Sequence, residues 1–249
     1  MNKNRTLSII ISALLMAMIF SACSAANTAP AVGNDPVVHT ETNGYWGTAN
    51  HGAEVRAERA GDGAGLLIGL SGDLTQEESA DLLYMREEEK LARDVYVYLY
   101  SQWQLPVFDS IAQSEQNHMD SILELLTACG IEDPAAQTSA GQFTNSILQD
   151  LYNTLTAQGS ASLEDALRVG ALIEEVDIND LEEALTRTDK ADLARVYSNL
   201  LFGSENHLRS FTSQLSRQLG ITYQPVALDQ ERYDQIISAQ PGQRGRAGN

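Results

Sequence analysis

Cysteine is scarce in this chain of 249 residues, which contains only Cys23 and Cys129. Two thiols cannot build a disulfide scaffold, and they cannot supply the four thiolates of a structural zinc site. Basic residues are also few, since 16 Lys and Arg stand against 34 Asp and Glu and give a net charge of −18. A nucleic-acid partner is not expected, because phosphate binding needs clustered Lys and Arg. The acidic excess leaves a cation-binding protein open.

Several sequence signatures of common enzymes are missing as well. The chain has no Gly-rich phosphate loop, no Rossmann fingerprint and no catalytic Ser/His/Asp spacing. Segments with strand character are almost absent. With 43% hydrophobic and 20% charged residues, the chain is nevertheless globular in composition and long enough to bury a core in one or two domains.

Residues 1–22 have the pattern of a secretory signal. Lys3 and Arg5 precede an apolar run over residues 7–20 that is short for a membrane span, and small residues follow it. The small residues just before Cys23 resemble a bacterial lipobox, in which the cysteine becomes the acylated N-terminus. We therefore predict an envelope protein that contacts the lipid membrane through acylated Cys23. The alternative is ordinary cleavage nearby, with Cys23 as a bystander.

Removal of the signal peptide takes away two basic residues and no acidic one, so the net charge changes from −18 to −20. A lipid on Cys23 leaves Cys129 as the remaining free thiol, which rules out a disulfide within the mature chain. Residues 23–73 show no sustained periodicity and are rich in Ala, Gly, Asn and Thr. We predict that they form a flexible tether.

Helical signals dominate the rest of the chain. Thr75 and Glu78 have the spacing of a capping box, which marks the start of a helix. Long helices are predicted over residues 76–103, 108–129, 162–187 and 189–219, with a short helix over residues 144–157. The predicted fold class is all-α: a ferritin-like four-helix bundle over residues 74–222, with one long crossover that contains the short helix. An extended tail is predicted over residues 223–249.

The helix faces that should be apolar carry ionisable residues near their centres. At alternating spacings of three and four residues, each of the four long helices carries such residues on this face. They are Glu89 on the first helix, Glu115 and His118 on the second, Glu174 and Asp177 on the third, and His207 on the fourth. A buried carboxylate without a partner costs several kcal/mol. Because all four long helices repeat this feature at mid-height, the pattern indicates a metal ion that pairs with these groups.

The pattern matches the di-iron carboxylate design with one departure. That design takes one Glu from each of two helices and Glu-x-x-His from each of the other two. Glu115 and His118 supply one such pair, since residues three apart point the same way. On the fourth long helix, Ser204 rather than Glu stands three residues before His207. Asp177 is the candidate to replace the missing carboxylate, and a mononuclear or asymmetric centre stays open.

Each candidate ligand has a rival or a plainer interpretation. The rival carboxylates are Glu87 and Glu88 for Glu89, Glu175 for Glu174, and Glu205, which lies one residue off the ligand face of the fourth long helix. The plainer interpretations are a solvated pair for Glu115 and His118, a packed core histidine for His207, and a hydrogen bond to a neighbouring helix for Asp177. Tyr96 is either a core residue or a residue that supports the ligands.

Longer motifs resemble a known family. Residues 87–96, EEEKLARDVY, look like the first metal-ligand helix of rubrerythrin-type proteins, in which Ala-Arg and then Tyr follow a ligand Glu. This match favours Glu89 over its neighbours. Residues 66–233 resemble the bacterial ferritin-like family catalogued as domain of unknown function 2202. The motifs that carry the resemblance are residues 87–96, Glu115-x-x-His118, residues 170–178 and residues 206–209. The resemblance implies a ferritin-like bundle and a metal centre, and it implies no reaction.

The ligand types favour particular metals and chemistry. Carboxylates and imidazoles suit iron or manganese better than copper, because no thioether or thiolate is available. We predict a di-iron centre, with manganese or a single metal as alternatives, that oxidises Fe²⁺ or another reductant with O₂ or peroxide. The rival hypothesis is a non-enzymatic envelope interaction or stress protein with a structural or vestigial metal site. An oligomer is compatible with the sequence, whereas a lipid tether is awkward for a closed iron-storage cage.

Overall fold

The structure is a computed structural model that describes residues 73–239. These residues form helices and no strand, which confirms the all-α prediction. The helices are α1 (Gln76–Trp103), α2 (Pro106–Ala128), α3 (Ser146–Gly159), α4 (Leu163–Arg187), α5 (Ala191–Leu219) and α6 (Gln230–Ser238). The predicted ends of α1 to α5 lie within about two residues of the observed ends. The predicted signal peptide, Cys23 and most of the tether lie outside the described residues.

Local sequence explains where α1 and α4 begin. The Thr75 hydroxyl accepts a hydrogen bond from the Glu78 amide at 3.1 Å, and the Glu78 carboxylate accepts one from the Thr75 amide at 2.8 Å. This is the predicted capping box. At the start of α4, the Ser162 hydroxyl accepts from the Asp165 amide at 3.0 Å. None of the helices in residues 73–239 is both long and apolar enough to cross a membrane.

The four long helices pack as two pairs. α1 lies along α2, and α4 lies along α5; in each pair a connection of only a few residues makes the helices antiparallel. The long connection between α2 and α4 contains α3, which packs against α1 and α4. This is the arrangement predicted for the bundle and its crossover.

A polar layer separates two apolar clusters in the bundle. One cluster contains Leu99 of α1 and Phe211 of α5. The other cluster contains Leu82 of α1 and Leu200 of α5. Every long helix passes from one cluster to the other. The ionisable residues that the sequence places at mid-height of each helix lie at this passage. The apolar clusters stabilise the bundle on both sides of this layer.

The middle of α1 is buried on every side. Residues 87–90 are four consecutive charged residues, and each is at most 5% exposed. Successive residues on a helix point in directions about 100° apart, so four in a row sample the whole circumference. α2, α3, α4 and the crossover loop together cover that circumference. The four side chains therefore face neighbours on all sides of the helix.

Two of these side chains hold the crossover loop against α1. The Glu87 carboxylate accepts hydrogen bonds from the Thr144 amide, the Thr144 hydroxyl and the Asn145 amide, just before α3 begins. The Lys90 ammonium donates to Asp94 at 2.6 Å and to the carbonyl groups of Ser139 and Gln142. Charged groups can be buried here because each has several hydrogen-bond partners.

The prediction of an extended tail is wrong for residues 230–238, which form α6. The Asp229 side chain accepts from the Arg232 amide at 2.8 Å and begins the helix. Tyr233 and Ile236 are its buried residues. The Arg232 guanidinium binds the carboxylates of Glu182 and Glu205, which are in α4 and α5. A helix of nine residues has little stability of its own, so these tertiary contacts decide its conformation.

The segment before α6 is fastened to α4 by Glu175. This carboxylate is fully buried, and its Oε2 atom accepts hydrogen bonds from three consecutive amides, those of Val226, Ala227 and Leu228, at 2.6–2.8 Å. Three amides that converge on one oxygen form a concave anion site built from backbone. The carboxylate of α4 therefore determines the path of the chain after α5.

We expect Glu175→Gln to lower the free energy of unfolding by about 1–3 kcal/mol, because hydrogen bonds to a charged acceptor become bonds to a neutral one. Urea denaturation of the metal-free protein measures this change. The matched control is Glu164→Gln on the same helix, where the carboxylate is 43% exposed and pairs with Arg168. That variant should differ from the parent by no more than about 0.5 kcal/mol. Equal effects of the two variants would contradict the role of Glu175.

Candidate metal centre

Glu115 lies at the centre of the polar layer and faces two histidines at once. Its Oε2 atom is 2.7 Å from Nδ1 of His118, one turn further along α2. Its Oε1 atom is 2.8 Å from Nδ1 of His207, which α5 supplies. The two imidazole rings are stacked with their centroids 5.5 Å apart. One carboxylate thus contacts two imidazoles, one with each oxygen.

Each of the two histidines also faces a second carboxylate. Glu89 of α1 places Oε2 at 3.2 Å from His118 Nδ1, and Glu174 of α4 places Oε2 at 3.4 Å from His207 Nδ1. Two groups of three side chains result, and within each group the candidate ligand atoms lie within 4.8 Å of one another. The groups are Glu89, Glu115 and His118, and Glu115, Glu174 and His207. They share Glu115 and draw on all four long helices.

Several of these buried atoms are poorly satisfied by the protein itself. Within residues 73–239 the following have no hydrogen-bond partner: Glu89 Oε1, Glu115 Oε1, Asp177 Oδ1 and His207 Nδ1. The contact between Glu115 Oε1 and His207 Nδ1 is short at 2.8 Å, yet it does not have the direction of a hydrogen bond. Unpartnered buried polar atoms are costly. Three of these side chains, those of Glu89, Glu115 and His207, belong to the converging groups, which fits a cation that would bind them.

The pKa values show how strongly the groups interact. Burial acts to raise the pKa of Glu115, but His207 and His118 outweigh it and hold that pKa well below its ordinary value. Burial acts to lower the pKa of both histidines, and the carboxylates reverse this effect. Glu89 and Glu115 raise the pKa of His118, and Glu115 and Glu174 raise that of His207 to about 10. In the metal-free protein the carboxylates therefore favour the protonated form of both imidazoles.

The other carboxylates are shifted upward. Burial is the largest cause for Glu89, whose pKa rises to about 7 although His118 opposes the shift. Burial and the Glu115 charge raise the pKa of Glu174. Burial and the charges of Glu89 and Glu174 raise that of Asp177. These directions are expected for several carboxylates that share one region of low dielectric constant.

Hydroxyl groups orient the ligands from outside. The Tyr96 hydroxyl is fully buried and donates a hydrogen bond of 2.5 Å to Glu174 Oε1, which leaves Oε2 facing His207. On α2, the Ser114 hydroxyl lies 2.9 Å from Nε2 of His207. A partner at Nε2 determines the ring orientation and leaves Nδ1 directed toward the carboxylates. Tyr96 thus contacts a candidate ligand, while Ser114 is a contact that the sequence did not reveal.

Asp177 and Ser204 meet across the interface between α4 and α5. The Ser204 hydroxyl donates to Asp177 Oδ2 and also to the backbone carbonyl of Leu200. Asp177 is 5% exposed and borders the same cavity as Glu89 and Glu174, but it belongs to neither group of converging ligand atoms. The serine that replaces the expected Glu on α5 therefore binds the aspartate that was predicted to compensate for it.

The rival carboxylates have other partners. Glu87 caps the start of α3, Glu175 binds the backbone before α6, and Glu205 pairs with Arg232 at 2.5 Å. Glu88 is buried beside the centre, where burial and the charges of Asp180 and Asp177 raise its pKa well above the ordinary value. None of these four belongs to the two groups of converging ligand atoms in residues 73–239.

Gly203 is a position beside the candidate ligands that the sequence pattern did not reveal. A Cβ atom at this position would lie 2.5 Å from Nε2 and 2.7 Å from Cε1 of His118. The absence of a side chain on α5 thus makes room for the imidazole of α2. A glycine in the interior of a helix, four residues before a candidate ligand, is a signal for such a close approach.

We expect Gly203→Ala to weaken metal binding at least about 10-fold, because the new methyl group displaces His118 from Glu89 and Glu115. Titration of the metal-free protein with Mn²⁺ measures the affinity. The control is Gly159→Ala, whose Cβ would meet Leu99 at 2.6 Å in the apolar core. That variant should lose stability without a comparable loss of affinity. An unchanged affinity in Gly203→Ala would show that the position of His118 does not matter for binding.

The fold and the site together define a class of protein. The described part of the chain is an all-helical protein with two overlapping carboxylate and histidine groups that can hold metal ions. Over residues 78–240 the chain matches the family described as uncharacterized protein domain DUF2202. The chain belongs to this family, as its motifs predicted.

Comparison with a relative supports the assignment. Uncharacterized protein MJ0754 of Methanocaldococcus jannaschii is 46% identical over 166 residues, which cover 67% of this chain and 89% of that protein. The crystal structure of hypothetical protein MJ0754 from Methanococcus jannaschii has a TM-score of 0.66 to this chain, covering 68% of this chain and 96% of that one. These descriptions name no activity.

Proposed function

We propose that this protein is a di-iron carboxylate protein that oxidises Fe²⁺ or another reductant with O₂ or peroxide. The observation that carries the proposal is the position of Glu115, whose two oxygens contact two different histidines at 2.7 and 2.8 Å. A carboxylate shared in this way could offer one oxygen to each of two metal ions. A single structural ion would need only one of the two groups.

The chain offers three ligand side chains at each position. Glu89, Glu115 and His118 would hold one metal ion, and Glu115, Glu174 and His207 would hold the other. This donor set of carboxylate oxygens and imidazole nitrogens suits iron or manganese. Bound iron would supply reversible one-electron chemistry toward O₂ or peroxide. Each ion would have three side chains of this chain as ligands.

Residues around the centre orient its ligands. Tyr96 orients Glu174, and Ser114 orients His207. These contacts would keep Oε2 of Glu174 and Nδ1 of His207 directed at the same metal position.

Anaerobic loading with Fe²⁺ tests the proposal. We expect elemental analysis after removal of excess metal to give about two iron ions per chain, and exposure to O₂ to produce a near-ultraviolet absorption. About one ion per chain would favour an asymmetric centre. Tight metal binding that only raises thermal stability, with no O₂-dependent absorption, would favour the structural alternative. Protein that binds no metal would overturn both hypotheses.

We also propose that the metal centre is held at the bacterial envelope by lipid on Cys23. The support is the pattern of residues 1–22, a basic start, an apolar run and small residues before the cysteine. One acyl chain gives only weak membrane binding, so stable anchoring requires more than one. Mass spectrometry of the mature N-terminus tests this proposal, and an unmodified N-terminus at another residue would overturn it.

A further inference from the structure

Two buried carboxylate oxygens beside the metal centre are not used by its two ligand groups. Within residues 73–239, Glu88 Oε2 and Asp177 Oδ1 have no hydrogen-bond partner, and each residue is only 5% exposed. Neither residue belongs to the groups of converging ligand atoms. An ionised carboxylate that is held away from water without a partner is costly. These two oxygens thus point to a cation other than the ions that the two groups would hold.

Two further side chains connect this inner pair, Glu88 and Asp177, to the surface. Tyr84 lies four residues before Glu88 on α1, so the two share a helix face. Asp180 lies three residues after Asp177 on α4, so these two also share a face. Tyr84 and Asp180 are both partly exposed, and they form the outer pair.

Direct interactions join the outer pair to Glu88. The Tyr84 hydroxyl donates a hydrogen bond to the Asp180 carboxylate, and Asp180 also interacts with Glu88 through a hydrogen bond and through its charge. Burial and the charges of Glu88, Asp180 and Asp177 raise the pKa of Tyr84 well above its ordinary value. Because these charges are all negative, the cluster attracts cations and repels anions.

The antiparallel packing of α1 and α4 sets the direction of the cluster. Near one end of this helix pair, Arg187 Nε donates to Asp81 at 2.8 Å. Beside the metal centre, the Tyr96 hydroxyl donates to Glu174. The outer and inner pairs lie between these two contacts along both helices. Since one helical turn rises about 5.4 Å, the outer pair is about one turn farther from Glu174 than the inner pair is.

The inner pair ends the cluster at the metal centre. Glu88 and Asp177 border the same small cavity as the candidate ligands Glu89, Glu115 and Glu174. The two pairs thus form a line of oxygen atoms that begins at partly exposed side chains and ends at the ligands.

α3 leaves the outer pair accessible. This helix begins beside Glu87, whose carboxylate accepts a hydrogen bond from the Thr144 amide. It ends beside Trp103, whose indole donates to the Gly159 carbonyl at 2.8 Å. α3 therefore runs along α1 from Glu87 onward, whereas Tyr84 lies about one turn before that point.

A line of carboxylates suits the passage of a divalent cation. Carboxylate oxygens are favourable ligands for Mn²⁺ and similar ions, and a negative field raises both the local concentration of cations and their association rate. Glu88, Asp177 and Asp180 do not form a group of ligand atoms that converge within 4.8 Å in residues 73–239. They are therefore suited to transfer an ion and not to hold it.

We propose that the outer and inner pairs form the route by which a divalent cation enters the metal centre from solvent. The proposal rests on the metal binding of the proposed function and adds a path to it. The alternative entrance lies between α2 and α5, where the His118 side chain is 12% exposed. The route between α1 and α4 is favoured because it supplies carboxylates from the surface to the ligands, two of them with unpartnered oxygens.

Stopped-flow mixing of the metal-free protein with Mn²⁺ and a fluorescent indicator of free Mn²⁺ tests the route. We expect Asp180→Asn to slow Mn²⁺ association at least about fivefold and to slow dissociation by a similar factor, so that the dissociation constant changes less than about threefold. A residue on the route but outside the ligand groups acts on entry and exit alike. Asp150→Asn is the matched control, since it removes the same charge at an exposed position of α3. It should slow association less than about twofold.

Glu88→Gln is the second variant, at the inner end of the route. It should also slow association at least about fivefold, while the metal content stays that of the parent. Loss of a bound ion, or weaker affinity without slower association, would make the residue a ligand and overturn the route. Parental rates in both variants would assign entry to the histidine side, and equal slowing in Asp150→Asn would indicate general attraction by charge; either result overturns the proposal. A parent protein that binds no Mn²⁺ would overturn the proposed function and the route with it.

Discussion

Glu115→Gln is expected to abolish binding at both metal positions, with a loss of affinity of at least about 100-fold. The carboxylate is shared by both groups of ligand atoms, so one substitution removes the negative charge from each. An amide also presents its nitrogen, which is a hydrogen-bond donor, toward one of the two histidines. Anaerobic incubation with excess Fe²⁺, followed by gel filtration and elemental analysis, measures the bound metal.

Two further variants test whether Glu115 is truly shared. Glu89→Gln alters only the group with His118, and Glu174→Gln alters only the group with His207. Each should therefore lower the stoichiometry from about two ions to about one. If each variant instead abolishes all binding, the centre is a single site to which all these residues contribute.

The matched control for Glu115→Gln is Glu124→Gln, an exposed position further along α2. It removes the same charge and should leave the metal content unchanged. Circular dichroism of the metal-free Glu115→Gln protein distinguishes lost ligation from lost folding. A folded variant that still binds about two metal ions would contradict the central role of Glu115.

The second large effect is the release of protons on metal binding. In the metal-free protein the adjoining carboxylates raise the pKa of His118 and that of His207, the latter to about 10, and this favours a bound proton on each imidazole. A histidine must be neutral to bind a metal. Binding of two ions should therefore release about two protons from the histidines, with a further fraction from Glu89, whose pKa is about 7.

Calorimetric titration with Mn²⁺ in buffers of different protonation enthalpy measures this release. Release of one proton for each bound ion also makes the apparent affinity for each ion rise with pH, by up to about 10-fold per pH unit between about pH 6.5 and 8. A binding constant independent of both buffer and pH would show that the two histidines are neutral before binding or are not ligands.

These pKa values also make the stability of the metal-free protein depend on pH. The folded-state pKa of His207, about 10, is above its ordinary value of 6.5, so the folded chain binds more protons than the unfolded chain between these values. This contribution is complete below about pH 6.5 and is lost as the pH rises toward 10. Glu115 acts in the opposite sense. Because its pKa is lowered in the folded protein, it contributes stability that is present above about pH 4.5 and is lost in acid. Urea midpoints at several pH values should therefore fall from neutral toward alkaline pH.

Local sequence determined much of the architecture. The capping box at Thr75, the boundaries of the long helices and the all-α class follow from side-chain spacing within single helices. The same spacing placed Glu89, Glu115, His118, Glu174 and His207 on inward faces at similar heights. This works because the direction of a helical side chain depends only on its position in a repeat of 3.6 residues.

The tertiary structure decided which neighbour each of these groups meets. Residues 87–90 are all buried, so burial could not single out Glu89, and only the packing of α2 and the crossover separates the four roles. The sharing of Glu115, the room that Gly203 leaves for His118 and the formation of α6 likewise depend on contacts between segments far apart in the chain. A sequence pattern gives the direction of a side chain from its own helix. The distance to a side chain on another helix is set only when the helices pack.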